Sequence, residues 1–326
     1  MNPPTPVPWQ RADTTWFKEC RWGLLACYLA DTASNLQPIE LSVDEWNRRV
    51  DAFDVEALAT QLAAARVPYL ILTLGQNSGY YLSPNATYDH IVGRTPSRLS
   101  RRDLIADLAA ALAPRNIRLL AYLPGTAPRS DDLAKAKLEG TPDERGREMQ
   151  RHWETVCREW SLRWGRALSG WWIDGPYDAD NFQHADAPNY RSFAEALKAG
   201  NPDAIVSFNN GLRTPIYSLT EYEDYTPGEI ERDMTVAPGM RMDPPRLDTY
   251  PEFLNGARLH ALTLMGEWWG QGPVRFPDEL TIGYTKFINQ RGGVVTWDAA
   301  LLMDGTLDPA FLPQITALGR ALGRPA

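Results

Sequence analysis

The chain has 326 residues, 44% hydrophobic and 23% charged, with a formal net charge of −8, a composition ordinary for a soluble globular protein. With 33 Lys and Arg against 41 Asp and Glu, it has no surplus for neutralising phosphates, which argues against nucleic acid as the main partner. No apolar run approaches the roughly 20 residues that cross a membrane, so no membrane partner is expected.

The first ten residues are proline-rich and lack the apolar core of a signal peptide. The three cysteines, Cys20, Cys27 and Cys157, form neither a disulfide framework nor a zinc pattern. A reducing cytoplasm is the expected location.

After a proline-rich lead-in over 1–15, residues 22–29 read as the first buried strand. Apolar residues at helical spacing (Val55, Leu58, Leu62, Ala65) predict a helix within 44–66, with Asp54 as a cap. Residues 68–74 form a continuously apolar strand, 100–112 a helix, 117–123 the third strand and 143–168 a long helix. Then comes 170–175, Gly-Trp-Trp-Ile-Asp-Gly. A buried apolar run ending in a carboxylate, with a glycine to turn the backbone, is how a barrel strand reaches a catalytic rim. Asp-Gly is also an ordinary turn signal, but the paired tryptophans suit a sugar site, where carboxylates do chemistry and aromatic faces pack.

The second half repeats the alternation: helix 190–199, strand 204–208 ending in Asn209-Asn210-Gly211, and a sixth strand placed at 222–226. Strand 260–265 ends at Gly266-Glu267-Trp268-Trp269, and helix 277–290, strand 294–297 and helix 309–322 close the chain. Eight strands alternating with helices predict an α/β fold, a single (β/α)8 TIM-type barrel over 1–326. An open doubly wound sheet would need a glycine-rich phosphate turn after the first strand, and Tyr28-Leu29-Ala30-Asp31 is not one.

The proposed strand ends carry Tyr28, Gln76, Asn77, Tyr122, Asp174, Asn209, Glu223, Asp224, Glu267 and Asp298. A barrel converges them on one face. Carboxylates, amides and aromatics dominate; the shortage of Lys and Arg speaks against a phosphorylated substrate, and the lack of a histidine cluster against a metal hydrolase. A carbohydrate fits this lining, with no cofactor. Sugar cleavage needs two carboxyl groups; Asp174 is the first candidate, followed by Glu221, Glu223, Glu229 and Glu267. Taken singly, each glutamate reads better as a solvated loop charge. Trp171, Trp172 and Trp269 could pack on sugar rings, although Trp171 belongs in the core because strand neighbours face opposite sides.

Several short motifs occur in a fixed order: Trp22-Gly23-Leu24-Leu25, the strand 69–73, Arg102-Asp103-Leu104, Trp172-Ile173-Asp174-Gly175, Asp224-Tyr225-Thr226-Pro227-Gly228-Glu229, Trp269-Gly270, Gly292-Gly293 and Asp304-Gly305-Thr306. Together they resemble the α-L-fucosidases of glycoside hydrolase family 29. The resemblance implies a retaining exo-glycosidase acting on a terminal sugar, with Asp174 as nucleophile and no metal or organic cofactor. Departures fall at the sugar-binding positions. The family's His-Trp-Gly is Cys27-Tyr28-Leu29 here, its paired histidines are Gln76-Asn77, and His260 stands where its Trp-Glu acid/base is expected. The family's C-terminal β-sandwich is not expected here.

Glu229 or Glu267 is the preferred acid/base, with Trp268 and Trp269 as apolar surface beside Glu267, and Glu223 could also serve from the preceding loop. Tyr28, Gln76, Asn77, Tyr122, Trp172, Asn209, Trp269 and Asp298 are the substrate-binding candidates. This pattern describes a diverged relative active on another sugar or linkage. The rival readings are a glycan-binding barrel that lost its acid/base, and a lyase or transglycosylase. Loop-like, proline-rich segments at 124–143 and 229–251 are expected to cap the pocket and restrict it to small or terminal sugars.

Overall fold

Eight parallel strands form the barrel: β1 (Trp22–Ala26), β2 (Tyr69–Thr73), β3 (Arg118–Pro124), β4 (Gly170–Asp174), β5 (Ile205–Asn209), β6 (Glu229–Glu231), β7 (His260–Leu264) and β8 (Val294–Ala299). The computed structural model describes residues 8–30, 41–140, 145–176, 182–231, 233–235, 239–242 and 245–323. Among the described residues, neighbouring strands follow chain order, β1 pairs with β8, and the backbone ladder is open only between β5 and β6.

Apart from β6, both faces of the strands are covered, which is why they read as unbroken apolar runs. In β4, Trp171 points outward and donates its indole N–H to the Leu197 carbonyl (2.9 Å), while Trp172 joins the inner cluster of Leu25, Tyr69, Ile71, Leu120 and Tyr122. Period-two alternation puts these neighbours on opposite faces.

The helix expected within 44–66 is two helices, Val43–Asp51 and Val55–Ala64. Asp54 takes a non-helical backbone conformation and accepts the Ala57 N–H (2.9 Å), so it starts the second helix and cannot continue the first. Within 124–143, expected to be a loop, Asp132–Glu139 is a helix capped by Asp131. Arg94 and Arg98 pair with the buried Asp131 carboxylate and hold it. The expected start of the long helix falls on 141–144, outside the described residues, as do 1–7 of the lead-in. Parts of the second proposed capping segment, 232, 236–238 and 243–244, also lie outside them. Its described part includes an antiparallel ribbon of Gly239–Met242 with Pro245–Asp248.

The sixth strand is the main correction. The regular strand is β6 at Glu229–Glu231, and 222–226 enters the same slot below it, where only Tyr225 bridges to Arg258. A backbone bond and a side chain close this seam. The Asp224 amide donates to the Val206 carbonyl (2.7 Å), and the Asp224 carboxylate accepts the Val206 N–H (2.8 Å). Among the described residues, no helix is long and apolar enough to cross a membrane.

Candidate active site

A cavity of about 220 Å³ opens at the C-terminal ends of the strands, where barrel enzymes place their chemistry. Asp174, Glu229, Gln76, Asn77, Tyr122, Trp172 and Trp269 line it, together with Arg129, Thr126, Cys27 and Trp268. Seven of the residues singled out in the sequence therefore meet in one hollow.

Strand register explains the centre of the site. Asp174 is the last residue of β4 and pairs with Asn209, the last residue of β5. The Asn209 side-chain nitrogen donates to Asp174 Oδ1 (3.0 Å) and to Glu229 Oε2 (2.5 Å). One amide thus spans the open seam between β5 and β6 and fixes two carboxyl groups against each other. On the other side, the Tyr122 hydroxyl donates to Asp174 Oδ2, and the Gln76 side-chain N–H donates to that hydroxyl (2.7 Å). The Tyr122 ring stacks on Trp172, with centroids 5.3 Å apart. The Trp172 indole N–H is anchored on the Pro227 carbonyl (3.0 Å).

Burial penalises both charges, and the two carboxyls penalise each other. Glu229 is pushed up to about 8 by burial first and by the Asp174 charge second. Asp174 is also raised by burial, but hydrogen bonds from Tyr122, Asn209 and the Gly175 amide, then the positive charge of Arg129, pull it back. Burial and the neighbouring charge thus favour the protonated form of Glu229.

The other candidates lie elsewhere. Glu267 is exposed and outside the cavity wall, because the turn that carries Trp268 and Trp269 inward turns Glu267 out. Glu221 is exposed on the loop before the seam. Glu223 is fully buried and pushed up to about 8 by that burial, but it belongs to the seam: its carboxylate accepts the Leu219 N–H (2.7 Å). Tyr28 lies beyond the end of β1 and faces the helical layer, where its hydroxyl donates to the Met303 (2.8 Å) and Arg49 (3.1 Å) carbonyls. Asp298 is fully buried below the Trp268–Trp269 turn and does not line the cavity.

Sequence reasoning missed Arg129, a cation in a wall expected to lack one, along with Thr126 and Cys27. Arg129 and Thr126 follow β3 on a segment without periodicity. Cys27, one residue past β1, was legible as a strand-end position.

No protein-family model matches the chain, and no curated protein matches it. Solved structures do. The endo-fucoidan hydrolase MfFcnA4 of glycoside hydrolase family 107 aligns over 94% of this chain with a TM-score of 0.66 and 18% identity; the alignment covers 53% of that protein, about half its length. The endo-fucoidan hydrolase P5AFcnA of the same family gives a TM-score of 0.66 at 14% identity, covering 94% of both chains. The family 29 α-L-fucosidase of Bacteroides thetaiotaomicron, trapped as a covalent intermediate with 2-fluoro-fucosyl fluoride, aligns over 97% of this chain and 76% of its own at a TM-score of 0.59 and 17% identity. At these identities the likeness establishes the barrel fold.

Proposed function

We propose that the chain is a retaining glycosidase that removes a terminal sugar, with Asp174 as nucleophile and Glu229 as acid/base. The observation that carries this reading is the Asn209 amide, bonded at once to Asp174 and Glu229 on the cavity wall. Their oxygens lie 3.0 and 2.5 Å from one nitrogen, so their separation is bounded by the sum of those distances. That bound holds for the two nearest oxygens and is compatible with the roughly 5–5.5 Å between the carboxyl groups of retaining glycosidases, which supports the retaining reading.

The protonation states fit the roles. Glu229, protonated at neutral pH, gives its proton to the glycosidic oxygen as that bond breaks and Asp174 bonds to the anomeric carbon. Water then attacks the same carbon, Glu229 takes its proton, and Asp174 leaves. Hydrogen bonds from Tyr122 and Asn209 keep Asp174 oriented and favour its ionised form.

A cavity of about 220 Å³ is smaller than the roughly 300–1,000 Å³ of sites for larger ligands and suits one ring. Trp172, Trp268 and Trp269 supply aromatic faces, and Gln76, Asn77 and Thr126 supply polar contacts for hydroxyls. The structural neighbours act on fucosides and fucoidan by their names, which makes a fucose-type sugar the first to test. Gln76-Asn77 at the family's histidine positions argues for altered specificity.

Hydrolysis of aryl α-L-fucoside, α-L-galactoside, β-D-xyloside and α-L-arabinoside tests the reading, with Asp174→Ala alongside. Turnover of one member, abolished by the substitution, is expected. Turnover that survives Asp174→Ala would exclude this mechanism. Binding of these sugars without any turnover would favour a glycan-binding barrel instead.

A further inference from the structure

Asp298 has no place in the chemistry above, yet it is a fully buried carboxyl group directly under the site. In β8, Val294 belongs to the inner cluster and the Thr296 hydroxyl meets Tyr69 (2.7 Å) and His260 (2.7 Å) inside the barrel. The strand period of two then points Asp298 inward as well, at the top of the same face. Its ladder neighbours are Leu25 on β1 and Leu264 on β7.

In this apolar setting, Asp298 Oδ2 accepts the Gly270 backbone N–H (2.5 Å), and Oδ1 is buried without a partner among the described residues. Gly270 sits in a tight turn closed by reciprocal bonds, Trp268 N–H to the Gln271 carbonyl (3.2 Å) and Gln271 N–H to the Trp268 carbonyl (3.0 Å). Its φ of +59° is a left-handed conformation that glycine adopts without strain. The two residues before it, Trp268 and Trp269, are walls of the cavity.

We infer that Asp298 is the positioning residue of the aromatic wall: by holding the Gly270 amide from below, it sets where Trp268 and Trp269 stand against the bound sugar. The carboxyl group touches no substrate and acts through the turn. Burial pushes Asp298 up to about 7, in keeping with an acid tolerated in an apolar layer for the one bond it makes. A leucine there would fill the layer but leave the Gly270 amide without an acceptor.

Amide hydrogen exchange at Gly270 and tryptophan emission test this in the wild type, Asp298→Ala and Asp298→Asn. Asp298→Ala is expected to speed Gly270 exchange and shift the emission, and to raise KM for a glycoside about tenfold with little change in kcat, the loss of one buried hydrogen bond. Asp298→Asn keeps an oxygen acceptor and is expected to restore exchange, emission and KM. Wild-type exchange and emission in folded Asp298→Ala would overturn the inference, as would an Asn variant no better than Ala. Should Asp298→Ala not fold, the wild type still decides: an unprotected Gly270 amide contradicts the inference. The KM arm rests on the glycosidase reading, whereas exchange and emission need no substrate. A protein with the expected exchange pattern but no turnover would therefore defeat that reading and uphold the anchor.

Discussion

Asn209 and Glu229 face each other across the one break in the barrel's backbone ladder among the described residues, and the Asn209 side-chain nitrogen bridges it at 2.5 Å. The same nitrogen reaches Asp174. The seam between β5 and β6 is thus where the fold is sealed by side chains and where the two candidate catalytic carboxyls meet.

The proposed mechanism requires Glu229 to start protonated and Asp174 ionised. Because Glu229 is pushed up to about 8, kcat/KM should fall as pH rises through that value, and it should fall on the acid side as Asp174 takes up a proton. Glu229→Gln should remove the alkaline limb and lower kcat/KM about 10²–10⁴-fold for glycosides with poor leaving groups. Aryl glycosides with acidic phenols should suffer less in the bond-breaking step. A pH–rate series over several phenols measures both effects.

Asn209→Ala removes a hydrogen bond that favours the charged form of each carboxyl. Both limbs of the pH profile should then move to higher pH. Looser placement of the pair should cost about 10–10² in kcat, the usual scale for ångström-sized displacements.

Tyr122→Phe deletes a donor to Asp174 while leaving a ring to stack on Trp172. A hydrogen bond to a charged group contributes about 1.5–3 kcal/mol, so kcat should drop by about one to two powers of ten with KM little changed. Steady-state kinetics on any aryl glycoside that the wild type hydrolyses reads this directly.

Glu267 provides the contrast. Exposed and outside the cavity wall, Glu267→Gln should leave kcat/KM within about twofold of wild type, the range of a surface change away from the site. A loss comparable to that of Glu229→Gln would reassign the acid/base.

The barrel was legible because its strands are buried on both faces and read as apolar runs; Trp171-Trp172-Ile173-Asp174 announces both the end of β4 and its acid. The sixth strand was not. Its slot is filled first by Glu223 and Asp224, whose carboxylates bond backbone amides, and only after Pro227-Gly228 by the three-residue β6. No local pattern encodes such a seam.

The same gap kept Glu229 from being told apart from Glu267. Among several loop glutamates, what separates it is its meeting with Asn209, a contact 20 residues away in the chain. Glu267 stood level with Glu229 because of its tryptophan neighbours, but sequence adjacency does not say which side of a turn a residue takes. Asp298, a strand-end acid like Asp174, lies under the site because the turn carrying Trp268 and Trp269 passes above it.

The most direct test of the central claim is to locate a trapped sugar. The wild type, incubated with the 2-fluoro-glycosyl fluoride of the sugar it hydrolyses, would be digested and mapped by mass spectrometry. A stable adduct on the peptide carrying Asp174, absent in Asp174→Asn, is the expected result. An adduct on another carboxyl group, or no adduct on an enzyme that turns over the parent aryl glycoside, would contradict Asp174 as the nucleophile.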